Sequence, residues 1–77
     1  MKTIQILGSG CAKCKQLAAA ADLAAQASGQ RYALEKITDL ARIMAFGVMS
    51  TPALAIDGQV KSSGKVLSVA EITALLV

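Results

Sequence analysis

An alternating run, Lys2-Thr3-Ile4-Gln5-Ile6-Leu7, is broken by Gly8-Ser9-Gly10 and followed at once by Cys11-Ala12-Lys13-Cys14 and a long Ala/Leu segment. The first run has the period of a half-buried strand, with Ile4 and Ile6 on one side. The second, from Cys11 to about Ser28, is an excellent helix former. A strand that turns this quickly into a helix leads to a parallel neighbour through a right-handed crossover. The junction therefore directs the chain towards an α/β fold and puts its two cysteines in the first turn of the first helix. Backbone N–H groups without intrahelical partners gather there, and the helix dipole is positive. A thiol in that place ionises more readily, and the thiolate both attacks disulfides and binds soft metals. Cys11 and Cys14, three apart, share one face of that turn.

The chain has 77 residues, which suits a single domain over 1–77 with a small core. One close cysteine pair closes too short a loop to staple a fold, so apolar packing must hold it. Hydrophobic residues make up 55% of the sequence, but many are Ala and the only aromatics are Tyr32 and Phe46. A thin core with close helix–sheet spacing is expected.

The net charge of +3 is scattered rather than striped, and no run of aromatics accompanies it. That profile argues against nucleic-acid binding. Met1-Lys2 leads straight into the strand pattern with no apolar leader, and no segment reaches the ~18 apolar residues of a membrane span. A cytoplasmic protein without membrane insertion is expected, where a close cysteine pair is more often redox-active or metal-binding than structural. The sequence contains no histidine, which removes Cys–His and Ser–His–Asp chemistry. Two cysteines alone do not close a structural zinc site.

Along the chain, Leu17, Ala20, Ala21, Ala24 and Ser28 form the inward stripe of the first helix, which Gly29 ends. Arg31 to Ile37 alternates as a second strand. Thr38 or Asp39 caps a short helix, Leu40 to Phe46, with Leu40, Ile43, Met44 and Phe46 inward. Met44 and Met49 are expected as core filling. Pro52 precedes Ala53-Leu54-Ala55-Ile56, a third strand, where a proline at the first position is tolerated and a cis bond is the alternative. Asp57-Gly58 signals a two-residue hairpin turn. Gln59 to Ser62 returns as an edge strand carrying Lys61, and Ser63-Gly64-Lys65 is a loop or bulge. Ser68 and Glu71 form a capping box for a last helix with Val69, Ile72, Leu75 and Leu76 inward.

This βαβαββα order, the C-x-x-C that opens the first helix, and Thr51-Pro52 before the third strand resemble the thioredoxin fold. The run Phe46 to Leu54, then Ile56-Asp57-Gly58, and Ser62-Ser63-Gly64-Lys65 before Ser68 and Glu71 are very similar to those of the small thioredoxin-like "redox-active disulfide protein" family. The resemblance spans essentially the whole chain. It implies a four-stranded mixed sheet with helices on both faces. It makes Cys11 the attacking thiolate, Cys14 the resolving thiol, Pro52 a cis-proline facing the pair, and Thr51 a backbone partner for the substrate chain. Lys13 and Lys15 are either solvated charges or electrostatic support for the thiolate. Gly10 stands where typical thioredoxins carry an aromatic residue, and Glu35 is the nearest counterpart of their buried acid.

The implied activity is thiol–disulfide exchange without a cofactor or metal. Its partners would be a disulfide-containing protein and an upstream dithiol reductant, and the protein is expected to be a monomer. A second reading is a copper(I) chaperone of the βαββαβ type, since two thiolates suit that ion. Against it stand the lack of a Met between the glycine and Cys11 and the helical end of the pattern. A third is a redox-sensing binding module.

Overall fold

Over residues 2–10, 12–29, 31–48 and 50–76, which the computed structural model describes, the alternating and helical runs become seven elements in the expected βαβαββα order. They are β1 (Lys2–Leu7), α1 (Ala12–Ser28), β2 (Tyr32–Ile37), α2 (Leu40–Ala45), β3 (Ala53–Ile56), β4 (Gln59–Ser63) and α3 (Val69–Leu76). The strands form one mixed sheet in the order β2-β1-β3-β4. β1 and β2 are parallel, with Ile4 opposite Leu34 and Leu7 opposite Ile37. β3 runs antiparallel to both β1 and β4.

Strand periodicity divides the core into two layers. Ile4 and Ile6 of β1 and Leu54 and Ile56 of β3 face α1 and α3, and Leu17, Ala21, Ile72 and Leu76 pack on them. Leu7, Ile37 and Ala53 point the other way, where Ile43 of α2 covers them with Phe46 and Val48. Helices therefore lie on both faces. The buried stripe of α1 is Cys14, Leu17, Ala18, Ala21 and Ala24. Ala20 and Ser28, expected on it, are only half-buried, and the stripe instead begins at Cys14. Its alanines let α1 sit close to both the sheet and α3. The Tyr32 hydroxyl donates to the Leu76 carbonyl at 2.8 Å, tying β2 to the end of α3.

Several side chains depart from expectation. Leu40 and Met44 are exposed, at 69% and 66%, rather than inward. A six-residue helix presents one narrow stripe, and here that stripe runs through Ile43 towards Phe46. At 100° per residue Leu40 and Met44 fall on its flank. Leu75 is displaced from the Ile72–Leu76 stripe of α3 for the same reason and is partly exposed. Asp39 occupies the N-cap of α2 through its backbone, without a side-chain cap bond. Met49 lies outside the described residues.

The β3–β4 turn is Asp57-Gly58, with φ of 51° and 84°, as a two-residue hairpin turn demands. β1 grips this turn: Thr3 N–H donates to Asp57 Oδ1 and Gly58 N–H donates to Gln5 Oε1, both at 2.8 Å. β4 is an edge strand, as expected, and extends to Ser63. Its irregularity falls earlier than Ser63-Gly64-Lys65. Leu54 pairs with Ser62 and Ala55 with Val60, which leaves Lys61 as the extra residue of a bulge.

At α3 the capping box forms in full. Ser68 N–H donates to Glu71 Oε1 at 3.0 Å, and Glu71 N–H donates to Ser68 Oγ at 3.1 Å. The Ser68 backbone N–H, then its side chain, hold the Glu71 carboxyl below its ordinary range, with a smaller contribution from Lys65. Ser68→Ala is expected to cost about 1 kcal/mol in urea unfolding. Because the folded pKa of Glu71 is the lower one, its stabilisation is fully present above the ordinary carboxylate range. It is lost as pH falls through the lowered value. The stability gap between wild type and Glu71→Gln should shrink over that acid interval and stay constant at neutral pH.

Candidate functional site

The buried stripe of α1 begins within the first turn of the helix, and its first member is Cys14, only 4% exposed. The spacing explains this: Cys14, Leu17, Ala18 and Ala21 stand at i, i+3, i+4 and i+7, so the face that carries Leu17 into the core carries the Cys14 thiol inward too. Cys11 lies outside the described residues.

The sulfur of Cys14 lies against the backbone of Gly8. A Cβ built on Gly8 would collide with Cys14 Sγ and lie 3.8 Å from Pro52 Cα. The end of β1, the first turn of α1 and the loop before β3 therefore converge on Gly8. The two glycines before the pair differ: at Gly10 a Cβ would meet nothing within 4 Å, whereas the space at Gly8 is filled by the sulfur. Gly8 itself is pinned by its N–H, which donates to the Ile37 carbonyl at 3.0 Å.

The Thr51–Pro52 peptide bond is cis. Pro52 is fully buried and Thr51 is exposed. The loop is held from β4's far end, where Gly64 N–H donates to the Pro52 carbonyl at 2.8 Å. Gly64 has φ 79°, and a Cβ there would come within 2.6 Å of Ser50 Oγ. The sequence places Gly64 in a loop or bulge. Its signal was the Ser-Gly pair at the end of the fourth strand, but nothing local says that this N–H reaches residue 52.

On the β2 side of Cys14 an open cleft of about 120 Å³ is lined by Gly8, Gly10, Cys14, Lys15, Lys36 and Thr38, with Ile6 and Ala18 at its base. Lys15 is thus on the wall of the thiol's cleft, and Lys36, which sequence reading passed over, stands with it. Lys13 is exposed on α1 and is not on that wall. Glu35 is not a buried acid here. It alternates with Lys36 onto the α2 face and pairs with Arg42 Nη2 at 3.1 Å, both side chains being substantially exposed. Among the described residues, no three His, Cys, Asp or Glu side chains cluster as a metal site would require.

A thiol buried in the first turn of α1, backed by the strand end and by a prolyl loop leading into an antiparallel strand, on a 2-1-3-4 mixed sheet, has the architecture of the thioredoxin-like α/β proteins. The chain belongs to the thioredoxin domain family, which matches it over residues 2–77. It is 40% identical over 76 residues to the thioredoxin of Methanothermobacter thermautotrophicus, covering 99% of each chain. The solved structure of thioredoxin-2, described as a component of malaria parasite protein secretion machinery, superposes with a TM-score of 0.75. That match covers 99% of this chain and 81% of the other at 17% identity, a likeness of fold. Family membership makes this chain a thiol–disulfide oxidoreductase, a class that acts on disulfide substrates and draws on reductant partners. No helix among the described residues is long and apolar enough to cross a membrane.

Gly8→Ala is expected to push the Cys14 thiol out of its seat, because the added methyl and the sulfur claim one volume. Overpacking of this kind costs about 1–3 kcal/mol. Urea unfolding reads the loss, and faster alkylation of Cys14 in a Cys11→Ser background reads the displacement. Wild-type stability in Gly8→Ala would show that the contact carries no weight.

Proposed function

We propose that Cys11 and Cys14 are the working dithiol of this domain, with Cys11 attacking and Cys14 resolving, and with Thr51 and Pro52 presenting the partner chain. The Cys11 thiolate attacks one sulfur of a partner disulfide, forms a mixed disulfide and expels the other partner sulfur as a thiolate, which takes a proton from solvent. Cys14 gives up its proton and attacks the Cys11 sulfur. The second partner thiolate leaves, and the Cys11–Cys14 disulfide remains. Two electrons have passed from the pair to the partner. A dithiol donor returns them by the same exchange in reverse.

The observation that carries this reading is the seat of Cys14. Its sulfur is buried against Gly8, and Pro52 Cα lies 3.8 Å from the side-chain position of that same glycine. A thiol so enclosed is poorly placed to reach an external disulfide and well placed to act on a neighbour within its own chain. That favours the resolving role for Cys14 and leaves the attack to Cys11. The first turn of α1 contains no acid, so nothing there offsets the positive end of the helix dipole. Lys15 and Lys13 add to that potential. Thr51, exposed beside buried Pro52, has its backbone available to a passing extended chain.

The tests follow the two roles. With a dithiol donor, wild type should reduce a small disulfide over many turnovers, and Cys11→Ser should abolish this. Cys14→Ser should stop after one attack and accumulate a mixed disulfide through Cys11, visible by mass. Undiminished turnover in Cys14→Ser would refute the assignment. Tight stoichiometric copper(I) binding with no disulfide reduction would favour the metal-chaperone reading instead.

A further inference from the structure

The cleft beside Cys14 is cationic in a way the linear sequence hides. Lys15 and Lys36 are 21 positions apart, yet α1 and β2 bring both to its wall. A second, shallower cleft adjoins the first and shares Lys15, Ala18 and Lys36, so one continuous groove runs from the thiol along the α1–β2 seam. Among the described residues the thiol end of this groove has no carboxylate. Asp22 lies only in the outer part, where its Oδ2 accepts from Gln26 Nε2 at 3.2 Å. The ion pair found among the described residues joins Arg42 to Glu35 on the opposite face of the sheet. Neither Lys15 nor Lys36 has an ion-pair partner there. The strand β2 that floors the groove is an edge strand, so a partner chain can approach along it without displacing another element.

We propose that the protein on which this chain acts carries a carboxylate side chain beside its disulfide, seated between Lys15 and Lys36 when the disulfide meets the dithiol. The inference rests on the exchange reaction proposed above and names the class of substrate that reaction selects. The physical basis is charge complementarity at a partly desolvated docking point. Such complementarity raises the encounter rate and the preference between partners, and salt weakens it. The sheet orients the selection. Pro52 and Thr51 lie on the β3 side of β1 and the lysines on its β2 side, so a disulfide at the dithiol would have its chain on one flank and its acid on the other.

The experiment compares three peptides of equal length that carry the same disulfide flanked by Glu, Gln or Lys. It measures kcat/KM for each with a dithiol donor, at low and high ionic strength. Wild type should prefer the Glu peptide over the Gln peptide by about five- to tenfold at low salt, and the Lys peptide should be the poorest. High salt should compress the three values together. In the double variant Lys15→Gln, Lys36→Gln the Glu-to-Gln ratio should fall to about one, whatever happens to the absolute rates. Lys61→Gln, which removes one positive charge from the far edge of the sheet, should leave the ratio intact. Equal rates for all three peptides in wild type, or a ratio that survives the double variant, would overturn the acidic-partner inference while exchange itself stood. A ratio that falls equally in Lys61→Gln would overturn it in favour of net charge. Failure to turn over even the Gln peptide would instead refute the exchange reading on which the inference rests.

Discussion

The sulfur of Cys14 lies where a side chain on Gly8 would be, and this one contact joins the three parts of the site. It fixes how closely the first turn of α1 approaches the end of β1. Pro52 Cα lies 3.8 Å from that same side-chain position, so the prolyl loop borders it too. A methyl at position 8 would collide with the sulfur and force α1 and the end of β1 apart, while meeting Pro52 only at ordinary contact distance. The Gly8 N–H bond to Ile37 then locks the strand end to β2, so the thiol is held against a backbone that cannot give way.

The rest of the fold serves that approach. Alanines along α1 bring the helix near the sheet, and Leu17 anchors its middle at zero exposure. The loop before β3 cannot be held by its own short sequence, and Gly64 supplies an N–H from the end of β4 to the Pro52 carbonyl. The position of β4 in turn depends on the hairpin turn, which Gln5 and Thr3 of β1 grip by side chain and backbone. The same strand that ends at Gly8 thus also steadies the element that clamps Pro52. This closed circuit of short-range hydrogen bonds gives a small domain with a thin core a defined site.

Much of this was legible from local chemistry. The strand and helix order, the Asp57-Gly58 turn and the Ser68–Glu71 box follow from period, glycine and capping preference, and all appear in the fold. The C-x-x-C at a helix start and, through the thioredoxin resemblance, Thr51-Pro52 before a strand pointed to the proposed site. Facing was less legible. Leu40 and Met44 read as inward because they are apolar, but α2 is six residues long and only the Ile43–Phe46 side reaches the sheet. Glu35 read as a possible buried acid, but its strand alternation turns it to the α2 face, where Arg42 is within reach.

By itself the sequence determined what each segment becomes, because strand, helix, turn and cap are decided by neighbours a few residues away. It also singled out the two cysteines as the pair to test, since no histidine and no other cysteine is present to share the work. Only the tertiary structure decided which atoms meet. The approach of Cys14 to Gly8, the bond of Gly64 to Pro52, and the placing of Lys15 and Lys36 along one cleft all cross elements and are set by sheet order and register. No local pattern encodes them, because each depends on how α1, β2 and β3 are placed around a common strand. The tetrapeptide that dominates the sequence is therefore only half of the site; the other half is the packing that closes around Gly8.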